Sequence, residues 1–408
     1  MRVVRHVPRL RGPGPGVQGR GPAARARGGA HVNRGDRWLL TLPLVLTGLG
    51  VVMVYSSSTI LGITRFQDPN HFLFKQLIRA GVGVIAMVAC SRLPLRRLEP
   101  LSPWLLGAGA ALLLVVVVIG RVAKGAMRWL DVGLFSIQPT DLARLAAVVF
   151  LAWWLKRRPP AELGFARGLL PPLLMVAGLS GLILLQPNLS SAVLLALTGV
   201  WVMFLAGVPV RHLAVPLLGG VAAGAVVLRA HPYMMERFQS FVGFAGGTLD
   251  ARGSGWQLDQ SLIAIGSGGW FGRGLGGGLQ KYLFLPEAHT DFIYSIFAEE
   301  LGFAGTTVLL GTIGLLLWRG LRAVARAADP FAFLLAGGLT IQIGLYALVN
   351  LAVATGLAPT TGLPLPFVSY GGSALVANLA AAGLLYRVSA MNEAEEALAR
   401  RRWSQEKT

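Results

Sequence analysis

The sequence predicts an all-α polytopic membrane protein of about ten transmembrane helices, and three observations predict it. Apolar residues fill 54% of 408 positions and charged residues only 13%, about half of the roughly 25% usual in soluble domains. The mean hydropathy is +0.61. The apolar residues also fall in runs close to the roughly 20 residues that a span requires.

Residues 1–35 are rich in Arg, Gly and Pro and hold almost no apolar run, the composition of a disordered tail. A membrane domain then covers 36–389, with spans read at 38–60, 72–90, 101–119, 141–155, 169–185, 189–206, 212–229, 292–318, 331–354 and 367–387. The fourth and fifth are short, and Pro171 and Pro172 open the fifth. Gln186-Pro187-Asn188 divides what would otherwise be one overlong run. The first run is long enough to stay as an anchor and has no small-residue cleavage site after it, so it is not read as a signal peptide. Residues 390–408 form a charged tail, compatible with a solvated segment or a surface-lying amphipathic helix.

The net charge is +19, from 37 Lys+Arg against 18 Asp+Glu. No basic stripe is interleaved with stacking aromatics, which argues against nucleic acid as a partner. The positive charges lie between apolar runs instead. With the N-terminus inside, one side carries Arg92, Arg96, Arg97, Lys156, Arg157, Arg158, Arg319, Arg322, Arg326 and Arg387. That bias predicts both termini cytoplasmic and a large extracytoplasmic loop, about 230–291, between spans seven and eight. Cys90 is the sole cysteine, so an intramolecular disulfide and a thiolate metal site are excluded. The six histidines never pair at ligand spacing.

Three stretches carry candidate chemistry. Lys124-Gly125-Ala126-Met127-Arg128-Trp129, followed by Gln138-Pro139-Thr140, offers two cations to a phosphate; by composition alone, interfacial anchoring by Trp129 with two snorkelling side chains is the favoured reading. Thr360 to Ser373 holds Pro364, Pro366 and a Ser-Tyr-Gly-Gly-Ser run at membrane depth. Irregular backbone there implies burial in protein or a cavity wall, and a tight helix crossing at small residues is the alternative.

The third stretch, Gly253 to Gly302, is the longest interval between apolar runs. Gly272 to Gly277 matches G-x-G-x-x-G, but no strand precedes it, so it is not a nucleotide fingerprint. A flexible loop, or a backbone able to approach a pyrophosphate, both fit. Pro286-Glu287-Ala288-His289-Thr290-Asp291 leads into the eighth span. An acid at a helix start favours the dipole by about 0.3–1 kcal/mol, which is reason enough for Asp291 to be there. Asp291, Ser295 and Glu299 also share one helical face. Glu299 and Glu300 lie inside a span, where carboxylates are functional suspects. A carboxylate at a cavity mouth can act as a general base.

These segments, QSLIAIGSGGWFGRGLGGGLQKYLFLPEAHTDFIYSIFAEELGFAG, KGAMRW with IQP, and GLAPTTGLPLPFVSYGGSAL, resemble the SEDS family (shape, elongation, division and sporulation) of cell-wall polymerases. The resemblance covers about Asp36 to Ser389. It implies a peptidoglycan glycosyltransferase that polymerises lipid II into β-1,4-linked glycan, with undecaprenyl pyrophosphate as leaving group. The family's essential aspartate, in H-T-D-F, falls on Asp291, with the implied role of deprotonating the attacking hydroxyl. Lys281, Glu287 and His289 surround it in sequence. Lys124 and Arg128 become pyrophosphate contacts, and Ser369 and Ser373 cavity residues. Thr140-Asp141 replaces the family's common Ser/Thr-Glu, and Asn188 stands where relatives commonly carry Asp.

Val54 to Ser58 and Gln280-Lys281-Tyr282 are more similar to the division branch than to the elongation branch. The implied partners are a class B penicillin-binding protein transpeptidase and other divisome membrane proteins, in the bacterial cytoplasmic membrane at the septum. No cofactor is indicated with certainty; a divalent cation such as Mg²⁺ is compatible with a pyrophosphate site, though no metal-ligand set is visible. A lipid II flippase or transporter, or an inactive scaffold, remain alternatives. A transporter would spread polar groups through the membrane depth, whereas here they gather at 281–300 and 121–141.

Overall fold

The computed structural model describes residues 35–123, 126–132, 135–160, 165–247 and 254–406. The tail expected at 1–35 therefore lies outside the described residues except for Gly35, and so does Lys124. Twelve helices are described: α1 (Trp38–Phe66), α2 (His71–Arg92), α3 (Leu95–Ile119), α4 (Pro139–Arg157), α5 (Leu170–Leu184), α6 (Leu189–Leu205), α7 (Val210–Ala230), α8 (Pro232–Ala245), α9 (Ser254–Ser267), α10 (Ile293–Arg326), α11 (Pro330–Ala354) and α12 (Ser373–Glu406). Their starts follow local chemistry. Pro139, Pro232 and Pro330 each open a helix, where a missing N–H costs nothing. Asp329 caps α11 by accepting from Ala332 N at 3.0 Å. Asn188 caps α6 by accepting from Ser191 N at 3.3 Å, a task its amide performs without a charge.

Among the described residues eight helices are long and apolar enough to cross a membrane: α1, α2, α3, α5 with the π-helical turn before it, α7, α10, α11 and α12 up to Asn392. The other two expected spans are α6, short at 17 residues, and α4, which carries Asp141, Arg144, Lys156 and Arg157. The fold is thus an all-α polytopic membrane protein. Small residues let its helices approach closely. A Cβ on Gly83 of α2 would strike Leu379 of α12, and one on Gly383 would lie 3.0 Å from Cys90 Cβ. One on Gly338 of α11 would lie 2.8 Å from Val202 of α6.

The expected boundaries shift in three places. The connection between α3 and α4 forms a small antiparallel sheet, β1 (Arg121–Ala123), β2 (Ala126–Val132) and β3 (Phe135–Ile137), in the order β1-β2-β3. Arg121 pairs with Trp129, and Leu130 with Ile137. The interval 230–291 is no open loop, since α8 and α9 occupy much of it. The last span starts at Ser373, not 367, because Pro364, Pro366 and Gly371-Gly372 hold the preceding chain in turns. Its helix then runs on to Glu406.

α10 is broken near its start. Gly302 has φ 67° and ψ −166°, a conformation open essentially only to glycine. Another segment supplies backbone partners at the break. Phe303 N donates to Gly269 O at 2.8 Å and Ala304 N to Trp270 O at 3.0 Å. In turn Arg273 N donates to Glu299 O and Gly274 N to Glu300 O, both at 3.0 Å. The Gly-rich stretch is therefore docked into the gap by its backbone. A Cβ on Gly302 would come within 2.7 Å of the Phe271 backbone.

Candidate active site

One end of the bundle gathers the C-termini of α1, α3 and α11, the N-termini of α2, α4, α10 and α12, the small sheet, α8 and α9. The loop 355–372, joining α11 to α12, runs through the middle of this end. α8 holds it through Arg237, whose Nη1 donates to Thr360 O at 3.1 Å. α9 is fixed to its neighbours by Ser261, whose Oγ lies 2.6 Å from Ser295 Oγ and donates to Ala354 O at 2.6 Å.

Asp291 sits on this loop's flank, partly exposed, two residues before α10 begins. It lies outside the helix's first turn, where the sequence placed it. The turn that presents it is strained: Glu287 has φ 58°, costly for a residue with a Cβ. Thr290 braces the turn, donating from N to Glu287 O at 3.1 Å and from Oγ1 to Glu287 Oε2 at 2.9 Å. Asn350 of α11 pins the backbone by donating to Asp291 O at 2.8 Å and Leu363 O at 2.7 Å. Gly362 faces the carboxylate; a Cβ there would lie 3.6 Å from Asp291 Oδ2.

His289 is buried rather than presented to open space. Its ring lies 4.9 Å from that of Phe72 and 5.4 Å from that of Tyr370, and its carbonyl accepts from Tyr370 N at 3.0 Å. The Arg79 guanidinium stacks on Tyr370 at 4.2 Å. Burial pushes the Tyr370 phenol above its ordinary range, with the charge of Arg79 and its hydrogen bond pulling the other way. The phenol is therefore neutral at physiological pH. A Cβ on Gly372 would lie 3.9 Å from Arg79 Cζ and 3.6 Å from the Trp129 ring.

The circuit continues through Ser373, which donates to Asp141 Oδ2 at 2.7 Å and accepts from Gln138 N at 2.9 Å. Asp141 lies 3.5 Å from Arg144, and the Arg144 guanidinium stacks on Tyr346 at 3.6 Å. Tyr346 and Asn350 sit one turn apart on α11, which returns the circuit to Asp291. Arg144 is fully buried, and among the described residues its three guanidinium nitrogens, Thr140 Oγ1, Tyr346 OH and Asn350 Oδ1 have no hydrogen-bond partner. Such a set of unmet polar atoms marks a place for water or a polar ligand.

Several expected site residues have other employment. Lys281 is buried, donating to Ser56 Oγ at 3.1 Å, Gly276 O at 2.6 Å and Glu300 Oε1 at 2.9 Å. Its donors hold the Gly-rich loop, so its geometry lends no support to a substrate contact. Glu300 also accepts from Ser56 Oγ at 2.7 Å and Gly276 N at 3.0 Å; Glu299 accepts from Leu279 N at 2.8 Å and Gln280 N at 3.2 Å. Both carboxylates are loop clamps. Ser295, expected on a common face with Asp291, is buried against Ser261. Ser369 is buried and accepts from Leu365 N at 2.9 Å, bracing the Pro-rich turn. Ser373 is likewise bonded within the protein, to Asp141 and Gln138. Arg128 lies in β2, with its side chain outside the described residues.

Sequence reasoning missed Arg79 and Arg144. Each is an arginine in the interior of an apolar helix, and that alone is a functional signal.

The family model for FtsW, RodA and SpoVE, described as "Cell cycle protein", matches residues 37–394. A relative from Alkalilimnicola ehrlichii, named probable peptidoglycan glycosyltransferase FtsW, is 42% identical over 86% of this chain and 88% of its own. A chain from a structure on coordination of polymerization and crosslinking by a peptidoglycan synthase complex superposes with TM-score 0.72. It is 34% identical over 88% of this chain and 98% of its own. The crystal structure of Thermus thermophilus rod shape determining protein RodA gives TM-score 0.65 at 32% identity, over 87% and 96%.

Proposed function

The chain belongs to the FtsW/RodA/SpoVE family of cell cycle proteins, and on that premise we propose that it is a peptidoglycan glycosyltransferase polymerising lipid II. The observation that carries the catalytic assignment is the position of Asp291: a partly exposed carboxylate on a strained, braced turn at the mouth of the bundle. Asp291 takes the proton from the 4-hydroxyl of the acceptor GlcNAc. That oxygen attacks C1 of the lipid-linked MurNAc as the bond from C1 to the pyrophosphate oxygen breaks. Undecaprenyl pyrophosphate leaves, C1 inverts, and a β-1,4 bond results. Asn350 keeps the base in place, and a base held within reach of its proton contributes about 10²–10⁴-fold.

Arg79 and Arg144 add buried positive charge to the same end, which favours the developing pyrophosphate. Lys124 and Arg128 on the sheet connection are the remaining candidates for holding it, and Glu287 and His289 shape the turn beside the base. A divalent cation has no ready cage, because among the described residues no three His, Cys, Asp or Glu gather to hold one. No step is routed through a metal.

The identity of 42% to the division-named relative, against 32% to RodA, favours septal synthesis. The neighbouring synthase complex, which couples polymerization to crosslinking, supports a class B penicillin-binding protein as partner, with other divisome membrane proteins around it. The charge bias supports the bacterial cytoplasmic membrane, with Asp291 at its outer face.

The test is polymerisation of lipid II by the purified chain with its transpeptidase, read as glycan ladders on a gel. Polymer from wild type and none from Asp291→Asn is expected. Equal polymer from both removes Asp291 from the chemistry, whereas lipid II crossing liposomes with no polymer in any condition replaces the enzyme with a flippase.

A further inference from the structure

A cavity of about 180 Å³ opens at the end of the bundle opposite Asp291, where α1 begins, α10 ends and α12 leaves the helix packing. Arg319, Arg322, Arg326, Asp36, Ser389 and Asn392 line it. The three arginines share one face of α10 at i, i+3 and i+7. Among the described residues one carboxylate answers them: Asp36 Oδ2 lies 3.2 Å from Arg319 Nη1, while Asp36 N donates to Ser389 Oγ at 2.9 Å. Among the same residues Arg322 and Arg326 have no ion pair, and the buried Arg319 Nε and Asn392 Oδ1 have no hydrogen-bond partner. The first is an unmet donor and the second an unmet acceptor, on the walls of the same cavity.

The rings of Trp38 and Trp318 lie 5.6 and 4.8 Å from the Arg319 guanidinium. They are 46% and 52% exposed, as amphipathic rings are at the headgroup level of a bilayer. Orientation bias and the helix C-terminus account for arginines at this end. They do not account for three guanidiniums converging on a concave space beside an unmet acceptor. A phosphate oxygen answers the guanidiniums with charge-assisted hydrogen bonds, and a hydroxyl answers Asn392 Oδ1. Basic pockets between membrane helices take anionic lipid head groups for this reason.

We propose that this cavity binds a phosphate ester bearing a hydroxylated head, the chemistry of a phosphatidylglycerol headgroup or of a soluble glycerol phosphate. It is a site separate from the one built around Asp291 and does not depend on the function assigned there.

The full chain in detergent is titrated with dioctanoyl phosphatidylglycerol, dioctanoyl phosphatidylcholine and glycerol 3-phosphate. Thermal unfolding and native mass spectrometry of adducts are the readouts. Phosphatidylglycerol is expected to raise Tm saturably, as a ligand of the folded state does. Arg322→Gln/Arg326→Gln is expected to weaken that binding roughly tenfold or more, as loss of two charge-assisted contacts implies. Arg96→Gln/Arg97→Gln, the same charge change at exposed positions elsewhere on this end, is expected to leave it unchanged. Arg322→Lys/Arg326→Lys keeps the charge, guards against misfolding of the first variant, and is expected to bind with intermediate affinity. A shift with glycerol 3-phosphate equal to the lipid's assigns the site to a soluble ester; a shift with the lipid alone assigns it to a headgroup. An equal response to phosphatidylcholine, equal binding by the Gln pair and wild type, or no response to any of the three overturns the proposal.

Discussion

Asp291 and the Glu299–Glu300 pair lie within ten residues of one another, yet the molecule treats them in opposite ways. Glu299 and Glu300 are almost wholly buried, and each accepts from at least two donors of the loop packed over it. Asp291 keeps solvent contact, and Asn350 fixes its turn through the backbone. A carboxylate inside a membrane bundle is costly, and two ways of meeting that cost stand side by side. One surrounds the charge with donors and turns it into a fastener. The other keeps the charge partly exposed at the end of the bundle.

The largest effect that could break this comparison is on catalysis. Asp291→Asn should lower polymerisation by about 100-fold or more while the melting curve in detergent stays at the wild-type position. A parallel loss of stability would make Asp291 another fastener. Next comes Glu300→Ala, which leaves the Lys281 ammonium buried without its carboxylate, a change that costs about 3–5 kcal/mol. Differential scanning fluorimetry should register a large drop in Tm, with activity lost only in step with the folded fraction. Lys281→Met/Glu300→Leu, which removes both charges, should melt closer to wild type than Glu300→Ala. If Glu300→Ala melts normally but makes no polymer, the fastener reading fails.

Gly302→Ala should cost about 1–3 kcal/mol from backbone strain alone, and more from the collision with Phe271. Proteolysis within 268–280 should accelerate in that variant; unchanged protection would mean that the loop does not depend on the break. The smallest effect is Ser56→Ala, which removes one donor from Glu300 and should cost about 1 kcal/mol. A loss as large as that of Glu300→Ala would show that Ser56, not Lys281, carries the clamp.

The spans were legible in the sequence because apolar runs near 20 residues admit few other fates. Asp291 stood out as an acid where a polar stretch meets a span, but the residues alone gave it no more than a helix-start role, and the resemblance to the SEDS family is what named it as the base. What stayed hidden was partnership at long range. Lys281 and Glu300 are both charged residues in a suspicious stretch, and only the fold brings Ser56 from α1 to join them. Ser369 and Ser373 sit in a run that suggests a cavity wall, yet one bonds to a backbone N–H four residues away and the other to α4. The sheet was missed because β1 and β3 are three residues each, too short for an alternating pattern to register. The Gly-rich stretch was ambiguous because its interactions are made by backbone, which no side-chain pattern reports.

The break at Gly302 has a mechanical consequence. Unbroken, 34 residues of α10 would form a rod about 51 Å long, well beyond a hydrocarbon core of about 30 Å. The break cuts it into a shaft, 303–326, of about 36 Å and a short head, 293–301. The Gly-rich loop bonds to both pieces: Arg273 N and Gly274 N donate to Glu299 O and Glu300 O of the head, while Phe303 N and Ala304 N of the shaft donate to Gly269 O and Trp270 O. The loop is thus a splint across the break, and it sets the angle at which the head, with Asp291 just before it, meets the shaft.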